Sequence, residues 1–141
     1  MSNKVATNGQ GAEGPLVLLV DDYDDSREMY AEFLEHSGFR VCQARDGSQA
    51  LAKARELRPD LILMDLSLPG MSGWEAIRRL KSDAGTKAIP VIALSGHKET
   101  DIADQPAAKW DYFLTKPCQP EELVDNLQRA LADAGKNASE H

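Results

Sequence analysis

Short apolar runs alternate with helical stripes along most of this chain, and this alternation limits the fold more than any other feature. Five runs have the length of strands, at residues 16–20, 40–44, 61–64, 90–94 and 112–114. Three of them are apolar throughout, which is typical of strands covered on both faces. Helical periods follow the runs, so five strands alternate with five helices. That order predicts an α/β fold with a doubly wound parallel sheet.

The ends of the chain differ in composition from its middle. Residues 1–14 are rich in Gly and Asn and offer almost nothing to bury. Residues 134–141 look similar, so we expect flexible tails on either side of one domain at residues 15–133.

Charge and cysteine content exclude several classes of protein. The formal net charge of −7 disfavours direct binding to nucleic acid or to an anionic membrane. The longest apolar run is too short to cross a bilayer, and residues 1–14 lack the apolar stretch of a secretory signal, so we expect a cytoplasmic protein. Cys42 and Cys118 have no metal-ligand spacing and fit buried thiols in a reducing compartment.

Reactive side chains follow four of the five predicted strands. Asp21 and Asp22 follow the first strand, Asp65 the third, Ser95 the fourth and Lys116 the fifth, whereas the second supplies nothing comparable. The carboxyl ends of parallel strands share one edge of the sheet, so these groups should converge there. Each alone is ordinarily a turn residue, a helix cap or a solvated charge. Together they supply what phosphoryl transfer to a carboxylate needs: a nucleophile, oxygen ligands for Mg²⁺, an ammonium and a hydroxyl.

Four motifs carry these residues in a fixed order. They are VDD at 20–22, LMDLSLPGMSG at 63–73, ALSG at 93–96 and LTKP at 114–117. With them, the chain resembles a stand-alone response-regulator receiver domain of two-component signalling over about residues 15–133. The resemblance implies a flavodoxin-like sheet with strand order 2-1-3-4-5, and a phosphorylation-activated switch rather than a turnover enzyme.

The resemblance also implies a role for each acidic residue of the motifs. Asp65 would be the phosphoacceptor. Asp21, Asp22, Asp65 and the backbone carbonyl of Ser67 would hold Mg²⁺, the expected cofactor. Ser67, two residues after Asp65, would also tune how long the phosphoryl group survives.

The remaining motif residues would contact the phosphoryl group or respond to it. Ser95 and Lys116 would each contact a phosphoryl oxygen, and the Lys116–Pro117 bond is expected to be cis. Ser95 and Phe113 would form the conformational switch, although an ordinary core position explains Phe113 equally well. His97 is a second tuning position, for which a solvent-exposed side chain is the plain alternative.

The expected partners are proteins. A sensor histidine kinase or a histidine phosphotransfer protein would donate the phosphoryl group, and an output protein would bind the face formed by the fourth helix, the fifth strand and the fifth helix. Two residues at this face depart from the family pattern: Pro106 should break the fourth helix, and Trp110 either is an exposed contact residue or covers the edge of the sheet. A homodimer is compatible with the sequence.

Three alternatives stay open at this stage. The chain could be a phosphorelay shuttle or the receiver fragment of a larger kinase or regulator. A Mg²⁺-dependent phosphohydrolase would need a general acid where Ser67 stands. A binding module that never meets phosphate would not need the complete set of reactive residues. The sequence does not identify the partners, the pathway, the phosphoryl lifetime or the oligomeric state.

Overall fold

The computed structural model describes residues 14–68, 70–96, 110–116 and 118–139, with side chains to residue 134. Within them, five parallel strands form one sheet. The strands are β1 (Leu16–Val20), β2 (Arg40–Ala44), β3 (Leu61–Asp65), β4 (Val91–Ser95) and β5 (Tyr112–Thr115). Their order across the sheet is β2-β1-β3-β4-β5, which confirms the predicted order 2-1-3-4-5.

Both faces of the sheet are covered, which explains the continuous apolar strands. In β1, Val17 and Leu19 pack into one core cluster, whereas Leu18 and Val20 pack into the other. All four side chains are fully buried. Alternate residues of a strand point to opposite faces, so a strand between two helical layers must be apolar at every position.

Helices form the two outer layers. They are α1 (Asp24–His36), α2 (Gly47–Leu57), α3 (Gly73–Ser82) and α4 (Pro120–Ser139). The buried stripes of α1 and α4 lie in one core cluster, and those of α2 and α3 lie in the other. The fourth predicted helix falls within residues 97–109, outside the described residues, so α4 is the predicted fifth helix.

The last helix is longer than the sequence analysis expected. It continues to Ser139, past the domain boundary placed at residue 133. Gly135 does not end it, because a single glycine in a helix costs only about 1 kcal/mol relative to alanine. Residues 134–139 are therefore helical. Among the described residues, no helix is both long and apolar enough to cross a membrane.

Trp110 covers the edge of the sheet, which decides between the two expectations for it. Its side chain is half-buried and packs against the cluster beneath α2 and α3. The indole lies 5.4 Å from the ring of Trp74 and 5.3 Å from the ring of Phe113, both tilted. Such tilted pairs are a favoured aromatic geometry. The expectation of an exposed tryptophan was therefore wrong.

Candidate functional site

Three carboxylates meet at the carboxyl edge of the sheet. Asp21 and Asp22 follow β1, and Asp65 is the last residue of β3. Oxygen atoms from the three side chains all lie within 4.8 Å of one another. Asp21 and Asp65 are 1% and 3% exposed, whereas Asp22 is exposed. The pairing of β1 with β3 brings the two strand ends together, as the parallel topology predicts.

Asp65 is held by groups on either side of it. Its Oδ1 accepts a hydrogen bond from the backbone N–H of Ser67 at 2.8 Å. Its Oδ2 accepts one from the ammonium Nζ of Lys116 at 2.9 Å. Both bonds fix the orientation of the carboxylate. The structure therefore brings Lys116 to Asp65, across 51 residues of sequence.

The ammonium of Lys116 stays charged in this setting. Burial lowers its pKa, but the hydrogen bond that it donates to Asp65 and the charges of Asp65 and Asp21 raise it, and the net shift is upward. The Tyr30 phenol lies near enough to contribute as well. Burial raises the pKa of Tyr30 in turn, with Cys118, Asp21 and Asp65 adding to the rise and Lys116 opposing it. Tyr30 belongs to none of the four motifs, so a motif search would not find its hydroxyl.

Asp21 is oriented by its own loop. Its Oδ1 accepts from the N–H of Tyr23, and its Oδ2 accepts from the hydroxyl of Ser26, both at 2.9 Å. Its backbone N–H donates to the carbonyl of Ala44 in β2 at 3.1 Å. The second strand, from which the sequence analysis expected nothing, thus supports the acidic loop through its backbone. Backbone contacts of this kind leave no residue-type signal in a sequence.

Ser95 lies beside β3, the strand that ends at Asp65. It ends β4, is 2% exposed, and follows Leu94, which is the partner of Asp65 in the register of β3 and β4. Its carbonyl accepts from the N–H of Lys116 at 2.7 Å. Phe113 is half-buried, and its ring packs against that of Trp110.

Three positions named by the sequence analysis cannot be placed. His97, Pro106 and Pro117 lie outside the described residues, and so does the cis peptide expected before Pro117.

A glycine permits the close packing around Asp65. Gly73 begins α3, where the side chain of Ser72 caps the helix by accepting from the N–H of Glu75. A Cβ at Gly73 would lie only 2.4 Å from the carbonyl oxygen of Asp65. Only a residue without a Cβ lets the backbone approach so closely. The glycine stands in the motif at 63–73, but its purpose becomes visible only in three dimensions.

The donor set suits a hard cation. Three carboxylates and one ammonium leave an excess of negative charge in a largely buried space. Such repulsion is relieved when a cation binds between the carboxylates. Oxygen-only ligands, with one side open to solvent at Asp22, match the preference of Mg²⁺ for a few carboxylates and several waters. The residues therefore fit the metal that the sequence analysis expected.

A doubly wound sheet with this acidic cluster and lysine at its carboxyl edge defines the receiver class of signalling proteins. The chain matches the response regulator receiver domain family over residues 17–128 and belongs to it. The family consists of signalling switches and not of turnover enzymes.

Two relatives differ in how much of their own length matches this chain. It is 42% identical over 128 residues to the phosphate regulon transcriptional regulatory protein PhoB of Pseudomonas aeruginosa, covering 90% of this chain and 56% of PhoB. It is 38% identical over 118 residues to the protein PilH of the same species, covering 82% of this chain and 97% of PilH. The chain thus spans about half the length of PhoB and of the MtrA regulators that it also matches.

Solved structures have the same fold. The receiver domain of the sensor histidine kinase PA1611 from Pseudomonas aeruginosa, described with a magnesium ion in its active site cleft, matches with a TM-score of 0.78. It is 32% identical, with 84% of this chain and 98% of that one covered. The chemotaxis response regulator CheY4 of Vibrio cholerae matches with a TM-score of 0.78 at 33% identity, covering 83% and 98%.

Proposed function

We propose that this protein is a phosphorylation-activated switch whose phosphoacceptor is Asp65. The observation that carries the proposal is the meeting of three carboxylates within 4.8 Å, with the ammonium of Lys116 bonded to Asp65. A carboxylate nucleophile, a cation site and a fixed positive charge are what transfer of a phosphoryl group to aspartate requires.

The positions of these groups support the following transfer. An oxygen of Asp65 attacks the phosphorus of a phosphohistidine, the P–O bond forms as the P–N bond breaks, and the imidazole nitrogen leaves with the electron pair. Lys116 already lies 2.9 Å from Asp65 and would balance the charge on the phosphoryl oxygens. The buried Ser95 would donate its hydroxyl to another of these oxygens.

Mg²⁺ is the cofactor of this proposal. Asp21, Asp22, Asp65 and the carbonyl of Ser67 would hold it, and it would neutralise charge developing on the phosphoryl group. The hydrogen bonds to Asp21 from Tyr23 and Ser26 hold that carboxylate in place before any metal arrives. The Mg²⁺ in the related PA1611 receiver supports the same use of the site here.

The response to phosphorylation would spread through β4 and β5. Ser95 and Lys116 belong to neighbouring strand ends, joined by the bond between the Lys116 N–H and the Ser95 carbonyl. Movement of Ser95 toward the phosphoryl group would pull on β5 and on Phe113, and so alter the surface offered to an output protein. A histidine kinase or phosphotransfer protein would be the donor, and a cytoplasmic location is part of the same proposal. Ser67 and His97 would tune the lifetime of the phosphorylated state.

Intact-protein mass after incubation with Mg²⁺ and a small phosphoramidate tests the proposal. Wild type should gain one phosphoryl group, which mild alkali should remove, and Asp65→Asn should gain none. Asp125→Asn, at an exposed position of α4, is the matched control and should behave as wild type. Modification of folded Asp65→Asn at the wild-type rate would refute the assignment.

A further inference from the structure

The loop between β1 and α1 carries two of the proposed metal ligands, and a guanidinium lies against it. Arg27 belongs to the first turns of α1, and its side chain is 11% exposed. Its Nη1 donates to the carbonyl oxygen of Asp21 at 2.9 Å, and its Nη2 donates to Oδ1 of Asp24 at 2.6 Å. Its Nε donates to the side-chain oxygen of Gln43 in β2 at 2.9 Å.

Two of these bonds, to Asp21 and Asp24, flank Asp22 in the sequence. Asp21 and Asp24 stand at the two ends of the loop, and Asp22 lies between them with an exposed side chain. One planar group therefore holds both ends of the segment that presents this carboxylate. A guanidinium suits this task because its donors diverge in a fixed plane.

The far side of the guanidinium is anchored to the edge of the sheet. The ammonium of Lys53 in α2 donates to the backbone carbonyl of Gln43. The N–H of Asp21 donates to the carbonyl of the next residue, Ala44. The acidic loop, the start of α1 and the edge strand β2 are thus joined into one unit, with Arg27 at its centre.

We propose that Arg27 is a positioning residue for the metal site: it holds the loop so that Asp22 lies beside Asp21 and Asp65 before the cation binds. The inference rests on the proposed function, which uses these carboxylates to bind Mg²⁺. Groups that orient metal ligands set metal affinity although they do not touch the metal.

The charge of Arg27 acts in the opposite direction to its positioning. A cation near a cation site repels the metal, so by charge alone the removal of Arg27 should strengthen Mg²⁺ binding. That repulsion is small, because the guanidinium is already paired with Asp24 at 2.6 Å. If Arg27 instead positions the loop, its removal should weaken Mg²⁺ binding. The sign of the change in affinity therefore separates the two effects.

The test is an Mg²⁺ titration of the folded protein, followed by amide ¹⁵N–¹H chemical shifts. Arg27→Met removes both charge and hydrogen bonds, whereas Arg27→Lys keeps the charge and loses the planar fork. Methionine and lysine are both smaller than arginine, so either side chain fits the space that Arg27 occupies. Both variants should raise the Kd for Mg²⁺ by about tenfold, the low end of the cost of losing a group that orients a metal ligand.

Arg55→Met is the matched control. Arg55 lies in α2 and pairs with Asp83 at 2.9 Å, so its loss removes one paired positive charge elsewhere on the surface. Its Kd for Mg²⁺ should equal that of wild type. A role of Arg27 confined to fold stability would lower the free energy of unfolding without moving the Kd of the folded fraction.

Each outcome decides the matter. An unchanged or tighter Kd in Arg27→Met overturns the inference, and so does a wild-type Kd in Arg27→Lys. If circular dichroism shows that Arg27→Met does not fold, Arg27→Lys decides alone. If wild type itself fails to bind Mg²⁺, the proposed metal site falls and the inference with it. If wild type binds Mg²⁺ and the Arg27 variants bind it with the same Kd, the inference is overturned but the proposed metal site stands.

Discussion

Gly73 should not tolerate even one added methyl group, because it lies against the end of the proposed phosphoacceptor strand. A Cβ at this position would lie 2.4 Å from the carbonyl oxygen of Asp65 and 2.7 Å from Cα of Leu66. Both atoms belong to the backbone, so neither can rotate aside. We therefore expect Gly73→Ala to push the start of α3 away from the end of β3.

Two opposing contributions set the size of the effect. The Cβ would lie about 1 Å inside the 3.4 Å at which ordinary contact begins, and overpacking of a core costs about 1–3 kcal/mol. Alanine regains at most about 1 kcal/mol over glycine in helix propensity. The upper end of the first range applies to a backbone clash, so the free energy of unfolding should fall by about 2 kcal/mol. The corresponding drop in Tm is about 5–10 °C.

Urea unfolding followed by circular dichroism measures this loss. Gly85→Ala is the matched control, because a Cβ there would meet only Oδ1 of Asp83, at 3.6 Å. That exposed change should stay within about 0.5 kcal/mol of wild type. If Gly73→Ala proves as stable as Gly85→Ala, the backbone contact is not the constraint that we infer.

Three other measurements address Lys116, Cys118 and Trp110. The folded pKa of Lys116 is raised above its unfolded value of about 10.4, so the stability from its pair with Asp65 is complete below that pH and is lost as the pH rises through the folded pKa. The difference in unfolding free energy between wild type and Lys116→Met should therefore shrink in strong alkali, and a constant difference would contradict the pairing. Burial, with the nearby Glu122, raises the pKa of Cys118 to about 11. In a Cys42→Ser background its alkylation by iodoacetamide near neutral pH should be much slower in the folded protein than in urea, and equal rates would count against the burial. Trp110→Leu should lose about 1–3 kcal/mol of unfolding free energy, because each of its two ring contacts contributes about 0.5–1.5 kcal/mol, and an unchanged urea midpoint would refute this packing role.

The layered fold was predictable because burial on both faces leaves a direct record in the sequence. The strand at 16–20 is apolar at every position, and its side chains do divide between two cores. Once the sheet is parallel, the residues after each strand must share one edge. The convergence of Asp21, Asp65 and Lys116 is therefore predictable from the positions of the strand ends alone.

The end of the last helix and the place of Trp110 were not predictable in the same way. Residues 134–139 contain a glycine and polar residues, a composition shared by tails and by the exposed ends of helices. The ring of Trp110 packs against Phe113, three residues along the chain, and against Trp74, which lies in α3 and is distant in the sequence. Local composition carries no information about such a neighbour.

The sequence by itself determined the class of fold, the edge at which the chemistry lies, and the residues that take part in it. Only the tertiary structure decided how those residues are held: Gly73 against the Asp65 carbonyl, and Arg27 across Asp21, Asp24 and Gln43. The physical reason is that hydrophobic periodicity records which face of an element is buried, a property of one segment. The support of the site depends on hydrogen bonds and close approaches between segments, many of them to backbone atoms that every residue type shares.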